Sequence, residues 1–204
     1  MRSGGMRKAW IIDFAERAFV VALAVPFMAA FLSYSTAHPY VLLLACMELA
    51  TAVMILIRRP GEAATAPWPV FLAFAGTGFP LFVRPGGTGL IDPAAALSIM
   101  GVGATVSFLA KLFLNRSFGI IAANRGTKTG GPYRFVRHPM YAGYFVTHVG
   151  FVLANASAWN VGVYLIAWTL LVLRIREEEA MLLRDPAYRR FAERVRWRVV
   201  PGLY

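Results

Sequence analysis

His138-Pro139-Met140-Tyr141-Ala142-Gly143-Tyr144-Phe145-Val146 closes a polar, glycine-containing loop and starts an apolar run that continues to Ala154. Pro139 suits the first position of a helix, where its missing N–H has no partner to lose. The short segment Asn155-Ala156-Ser157-Ala158-Trp159 then turns the chain into a second apolar run over 160–175, followed by Arg176-Glu177-Glu178-Glu179. Two such runs with so short a joint predict a tight helical hairpin, its first arm short for a hydrocarbon core of roughly 30 Å. Outward from this hairpin, apolar runs at 11–34, 39–57, 66–83 and 93–114 are broken by His38-Pro39, Arg59-Pro60-Gly61, Arg84-Pro85-Gly86-Gly87 and Asp92-Pro93. The pattern predicts an all-α, polytopic membrane bundle of about six helices. It reads as a single membrane domain over 1–204, with N-terminal transmembrane helices over 1–92 and a second half over 93–204.

Composition agrees. Of the 204 residues 58% are hydrophobic and only 15% charged, with mean hydropathy +0.58, far from the balance of a soluble domain. The 21 Lys/Arg against 10 Asp/Glu give a net charge of +11. These cations border apolar runs, so membrane topology and anionic lipid headgroups account for them, and a nucleic-acid partner is excluded. Arg2, Arg7, Lys8, Arg58, Arg59, Lys111, Arg116, Arg125, Lys128, Arg134, Arg137 and the basic tail fall on one side, Arg84 on the other. That asymmetry predicts cytoplasmic termini and a cytoplasmic (inner) membrane location. Asp13, Glu16 and Arg17 interrupt the first apolar run, which reads as a membrane helix and not a cleaved signal. A lone cysteine, Cys46, allows no intrachain disulfide.

Two segments are not expected to span. Residues 115–138 form a loop long enough to fold over something. In the tail, Asp185-Pro186 is a helix start, and Tyr188, Phe191 and Val195 recur at helical spacing among Arg189, Arg190, Arg194 and Arg196. That predicts a basic amphipathic helix lying at the membrane interface, continued by Trp197, Val199, Val200 and Leu203.

The segment Gly131-Pro132-Tyr133-Arg134-Phe135-Val136-Arg137-His138-Pro139 gathers cations and aromatics where an apolar helix begins. Ionisable groups are costly beside lipid, so this crowding marks a site. A helix N-terminus flanked by Arg137 and His138, with unpaired backbone N–H groups, suits an anion. Glu178 and Glu179 return to the same border, so the hairpin sets a cation clamp beside an anion clamp, which a zwitterionic, positively charged cofactor fits. Plainer roles stand beside these: Tyr133 and Tyr141 as interfacial aromatics, Glu177 as a solvated helix end, Arg174 as an i, i+4 partner of Glu178. No metal-ligand pattern is present. Glu48 and His148 lie deeper, each roughly 14 Å inside the same border, and are expected to meet across the bundle or to line a path for a second substrate, the plainer reading being a separate structural hydrogen bond for each.

The pattern G-P-Y-x-x-x-R-H-P-x-Y-x-G over Gly131–Gly143, followed by E-E-x-x-L at Glu178–Leu182, resembles the isoprenylcysteine carboxyl methyltransferase and phospholipid methyltransferase superfamily of integral membrane enzymes. Arg116-Ser117-Phe118 and Asp185-Pro186-Ala187-Tyr188 resemble its flanking segments, and the similarity runs over roughly residues 110–201. The resemblance implies S-adenosylmethionine as cofactor, bound in the C-terminal half, and a lipophilic or membrane-borne acceptor. It implies Arg137, His138, Tyr141 and Glu178 as the first catalytic and pocket residues, with Gly131, Pro132, Tyr133, Pro139, Gly143 and Glu179 completing the cofactor site. Within the superfamily the R-H-P-M-Y and R-E-E-E stretches look most like the carboxyl methyltransferase branch. A phospholipid amine or a small thiol remains an alternative acceptor. Sterol-reductase-like membrane enzymes that use NADPH end in a similar R-H-P-x-Y-x-G segment, but usually carry an acidic residue where Tyr144 stands here.

Overall fold

The computed structural model describes residues 2–35, 49–59, 62–84 and 86–204; Cys46, Glu48 and most of the 39–57 run lie outside them. In chain order come α1 (Arg2–Ser35), α2 (49–56), β1 (Glu62–Ala63) and α3 (Pro67–Gly78), which runs on as a 3-10 turn over Phe79–Phe82. Then follow α4 (Pro93–Leu114), β2 (Ala123–Asn124), a 3-10 turn over Gly131–Arg134, α5 (Pro139–Ala154), α6 (Ala158–Leu182) and α7 (Pro186–Arg194). Helices α1 to α6 fall on the apolar runs, and among the described residues the chain is all-α apart from a two-residue antiparallel pairing, Glu62 with Asn124 and Ala63 with Ala123, and an isolated bridge between Thr88 and Ala156.

Among the described residues two helical stretches, Pro93–Ser117 and Ala158–Leu182, are long and apolar enough to cross a membrane. Only 22% and 33% of their most apolar windows are buried in the protein, which separates them from core helices of a soluble fold. Leu97, Val102, Leu109, Leu112, Phe113, Val161, Leu165 and Ile166 face outward, an apolar exterior that water would not tolerate at this extent and lipid would.

Helix starts follow local chemistry. Asp92 accepts from the N–H groups of Ala94 and Ala95 at 2.9 and 3.1 Å, Ser157 from Asn160, and Asp185 from Ala187, and Pro93 and Pro186 open their helices. α4 and α5 pack closest of all because both lack side chains at the crossing. A Cβ at Gly143 would stand 2.5 Å from the Gly103 carbonyl oxygen, and one at Gly103 would stand 2.5 Å from the Thr147 nitrogen. Gly143, expected at the cofactor site, therefore serves the α4–α5 crossing.

The hairpin turn is pinned at its far end. Thr88 and Ala156 exchange backbone hydrogen bonds at 2.9 and 2.8 Å, and buried Asn160 bonds both the N–H and the carbonyl of Arg84. At the opposite end the charged borders converge. Buried Arg58 on the 49–59 segment donates to Glu16 and Asp13 of α1, and Glu16, 1% exposed, accepts the Ile120 N–H at 2.6 Å. Arg116 and Arg125 donate to the carbonyls of Ile57 and Arg59. The 115–128 segment is thereby clamped over this end of the bundle, as the length of that loop predicts.

α7 forms where Asp185-Pro186 places it, but its apolar stripe is taken up by the protein. Tyr188 and Phe191 are buried, while Arg189, Arg190, Glu193 and Arg194 are exposed. The reason is the buried carboxylate beneath it, described next.

Candidate functional site

Glu178 and Glu179 are adjacent on α6 and point to different neighbourhoods. Glu179 is 3% exposed and is wrapped by donors: Arg137 Nε at 2.5 Å, Arg137 NH2 at 2.9 Å, Arg198 Nε at 2.6 Å and the Tyr188 hydroxyl at 3.3 Å. Bidentate pairing fixes the Arg137 guanidinium, whose remaining nitrogen donates to the carbonyls of Val195 and Arg196 at 3.0 and 3.1 Å. The backbone completes the joint, for the N–H groups of Arg137 and His138 donate to the carbonyls of Trp197 and Arg198 at 2.9 and 2.7 Å. The backbone donors expected to await an anion are thus taken by the tail, and Arg137 stitches α5, α6 and the tail together. Pairing with Glu179 raises the Arg198 guanidinium above its ordinary value. Burial, with Glu179 close by, pushes the Tyr188 phenol well above its usual range, so it stays a donor.

Glu178 turns into an open cleft of about 120 Å³. Its Oε1 accepts from the Tyr141 hydroxyl at 2.5 Å and from Arg174 Nε at 3.0 Å. Arg174, fully sequestered, also donates to Thr77 at 3.2 Å and to the Ile120 carbonyl. Ile120 is therefore held at its N–H by Glu16 and at its carbonyl by Arg174. His138 stands between the two acids, with Nε2 at 3.2 Å from Glu179 Oε1 and Nδ1 at 3.8 Å from Glu178 Oε2. A carboxylate only accepts, so the Glu179 contact places a proton on Nε2. The His138 ring stacks on Tyr141 at 5.7 Å between centroids.

The cleft is walled by Tyr133, Arg137, His138, Tyr141 and Glu178 on one side and by the covering segment on the other, where Ser117, Gly119, Arg125 and Lys128 contribute. Burial, with Arg58 nearby, lowers the Arg125 guanidinium to about 10, which leaves it charged at neutral pH. Tyr133 is pushed far above the usual phenol range by burial and then by the Glu178 charge. Gly131, Pro132, Pro139, Gly143 and Glu179 do not line this cleft. Gly131 has φ +57°, and a Cβ there would meet the Phe113 ring at 2.5 Å, so it shapes the 3-10 turn that presents Tyr133.

A second, mostly apolar cavity of about 590 Å³ lies deeper, among α1, α2, α3, α4, α5 and α6. The two share a wall, Phe118 and Met140. Arg174 lines the deep cavity while its partner Glu178 lines the cleft, and Ile120 and Ile121 divide in the same way. Lys111, 4% exposed, lines the deep cavity, donates to Thr51 Oγ1 at 3.3 Å and sits 5.3 Å over the Tyr144 ring.

Sequence reasoning had Arg174 only as a helix-face partner of Glu178 and had no role for Arg198, Glu16 or Arg58 at the site. A signal existed for Glu16 and Arg58: both are ionisable groups within or at the edge of apolar runs, which demand a partner.

Residues 93–185 match the family model described as phospholipid methyltransferase. No curated protein matches the chain. The matched segment holds α4, the covering loop, α5 and α6, hence the cleft with Arg137, His138, Tyr141 and Glu178.

Proposed function

We propose, from the match of residues 93–185 to the phospholipid methyltransferase family model, that the chain moves the methyl group of S-adenosylmethionine onto a lipophilic acceptor. The observation that carries this reading is the pair of neighbouring cavities, one edged by Glu178, Arg125 and Lys128 and one lined mainly by aliphatic side chains, divided by Phe118 and Met140.

The cleft suits the cofactor in the charged groups it offers. Glu178 offers a carboxylate for an ammonium or ribose hydroxyls, and Arg125 and Lys128 offer cations for a carboxylate. When bound, S-adenosylmethionine supplies a methyl carbon already activated by its sulfonium. Glu178, held by Tyr141 and Arg174, would orient that ligand from a fixed position, and the covering segment would exclude water from it. Alignment of this kind lowers a barrier by several kcal/mol without any covalent role for the protein.

The R-H-P-M-Y and R-E-E-E stretches favour a carboxylate acceptor of the isoprenylcysteine kind, which needs no base. A phospholipid amine is the second reading, favoured by His138. With its proton on Nε2, Nδ1 is left with a lone pair beside Glu178 and can take the proton an ammonium must shed. Either acceptor reaches the deep cavity from the bilayer, and the charged end of the bundle faces the cytoplasm.

Thermal unfolding of the detergent-solubilised protein with S-adenosylhomocysteine or with NADPH tests the cofactor assignment, since a ligand stabilises the fold it binds. Stabilisation by the former alone, lost in Glu178→Ala, is expected. Stabilisation by NADPH alone overturns the reading in favour of a reductase.

A further inference from the structure

The deep cavity is lined mainly by aliphatic side chains, but one ring within it has its hydrogen-bonding state fixed by a neighbour. On α5, His148 Nδ1 lies 3.3 Å from Trp168 Nε1 of α6. An indole nitrogen can only donate, so His148 Nδ1 accepts, the imidazole is neutral, and its proton sits on Nε2. The ring cannot readily turn to undo this. Tyr164 stacks on it with centroids 4.4 Å apart and planes at 27°, and Tyr144 lies 6.4 Å away at 13°. With one edge held by Trp168 and flanking rings on its faces, the remaining edge carries Nε2–H. Among the described residues nothing else hydrogen-bonds the ring, and His148 lines the cavity. His148 Nε2–H is an oriented, neutral donor in that chamber, distinct from the charged Lys111 and Arg174 on its wall, and can fix one polar atom of a ligand.

We infer that His148, through Nε2–H, is the recognition group for a carbonyl oxygen carried within the lipophilic acceptor. This rests on the methyltransferase reading above and adds a second point of recognition to it. His148 stands seven residues past Tyr141 on α5, about 10 Å along the helix. The acceptor thus has its methylated group at the Phe118–Met140 wall and an uncharged carbonyl about 10 Å further into the membrane. That oxygen belongs to a keto group or to an ester, as in an acylated lipid; an unsubstituted hydrocarbon tail fits the volume and leaves the donor unsatisfied.

The test uses the full-length protein in detergent micelles and three probes of equal chain length: a medium-chain methyl ketone, the corresponding methyl ester and the n-alkane. Binding is read by the shift in unfolding temperature on titration, and the donor by the Nε2–H resonance of ¹⁵N-histidine-labelled protein. At least one carbonyl probe is expected to bind about fivefold or more tighter than the alkane, as one net hydrogen bond allows, and to move the His148 Nε2–H signal. The ketone and ester arms identify which carbonyl source the site prefers. His148→Phe, which keeps a ring between the tyrosines, is expected to level the three affinities. Trp168→Phe, which frees Nδ1 and lets the tautomers mix, is expected to reduce the carbonyl preference without abolishing it, and stands in should the first variant not fold. Equal effects of all three probes on the native protein, including no effect of any, overturn the inference, as does a carbonyl preference that survives His148→Phe. Binding of S-adenosylhomocysteine without a carbonyl preference defeats this inference alone. A carbonyl preference without that binding defeats the methyltransferase reading and leaves the hydrogen-bonding site standing.

Discussion

Neutralising the two neighbouring acids one at a time separates a structural role from a functional one. In Glu179→Gln the carboxylate that holds Arg137 at 2.5 and 2.9 Å loses its charge, while the guanidinium stays buried at 8% exposure. Breaking a buried pair by removing one partner costs about 3–5 kcal/mol, because the surviving charge is left uncompensated. Arg198 adds little to this, its side chain being 38% exposed and screened by solvent. For a chain of this length the loss corresponds to a fall in unfolding temperature on the order of 10 °C. In Glu178→Gln an oxygen still accepts from Tyr141, and Arg174 keeps the Ile120 carbonyl and Thr77 as acceptors. Arg174 is as buried as Arg137 and is likewise left without its carboxylate, so the loss is of the same order, about 3–5 kcal/mol. The same Glu178 substitution is expected to weaken S-adenosylhomocysteine binding at least tenfold, on the order of 1.4 kcal/mol. Unfolding in detergent with and without S-adenosylhomocysteine reads both quantities from one titration. Ligand binding that survives Glu178→Gln, or that fails in a folded Glu179→Gln, refutes this division of labour.

Gly143→Ala and Gly103→Ala each force a methyl group into a backbone 2.5 Å away; each is expected to cost about 1–3 kcal/mol or more by thermal unfolding, and a neutral result contradicts the close crossing. Glu16→Gln and Arg58→Met should each destabilise strongly, whereas the double variant should lose markedly less than their sum, since the buried charges leave together; a double-mutant cycle showing simple additivity contradicts the pairing. Asp185 is held below the ordinary carboxylate value first by the Asn124 amide and then by the Ala187 N–H. Its folded value being depressed, its contribution is full above the unfolded value and is lost as pH falls through the folded one. Protection of the 119–126 amides, read as exchange relative to the intrinsic rate at each pH, should therefore fall on acidification through that window, and Asp185→Ala, which removes the acceptor, should bring the lower protection to neutral pH. Protection indifferent to both contradicts a tie between the covering segment and α7.

The positions of the helices were legible because each is written twice, as an apolar run and as its punctuation. Asp92-Pro93 and Asp185-Pro186 mark helix starts by their own hydrogen bonds, and Pro139 opens α5 without a side-chain cap. The meeting of His138, Tyr141 and Glu178 followed from the short hairpin, which sets both arms in register. Periodicity along one helix could not divide the work between Glu178 and Glu179, since adjacent residues differ by 100° of helical rotation and their partners come from elsewhere. Arg198 and Tyr188, which bury Glu179, come from a tail whose basic, amphipathic pattern suits a membrane surface equally well. Gly143 was ambiguous for a similar reason: a missing side chain admits a ligand or a helix, and only the position of Gly103 on α4 decides. The clamp on Ile120 by Glu16 and Arg174 joins residues more than a hundred positions apart in part, and acts on a backbone peptide that any side chain could carry.

Transfer of a deuterated methyl group tests the central claim most directly. The purified protein in liposomes of a total lipid extract, supplied with deuteromethyl S-adenosylmethionine, is followed by mass spectrometry of the organic-soluble fraction. The two-cavity arrangement predicts a lipophilic product heavier by one labelled methyl group, formed by the native protein and not by Glu178→Ala. Label that stays wholly in the aqueous fraction, from protein shown to bind S-adenosylhomocysteine, contradicts it.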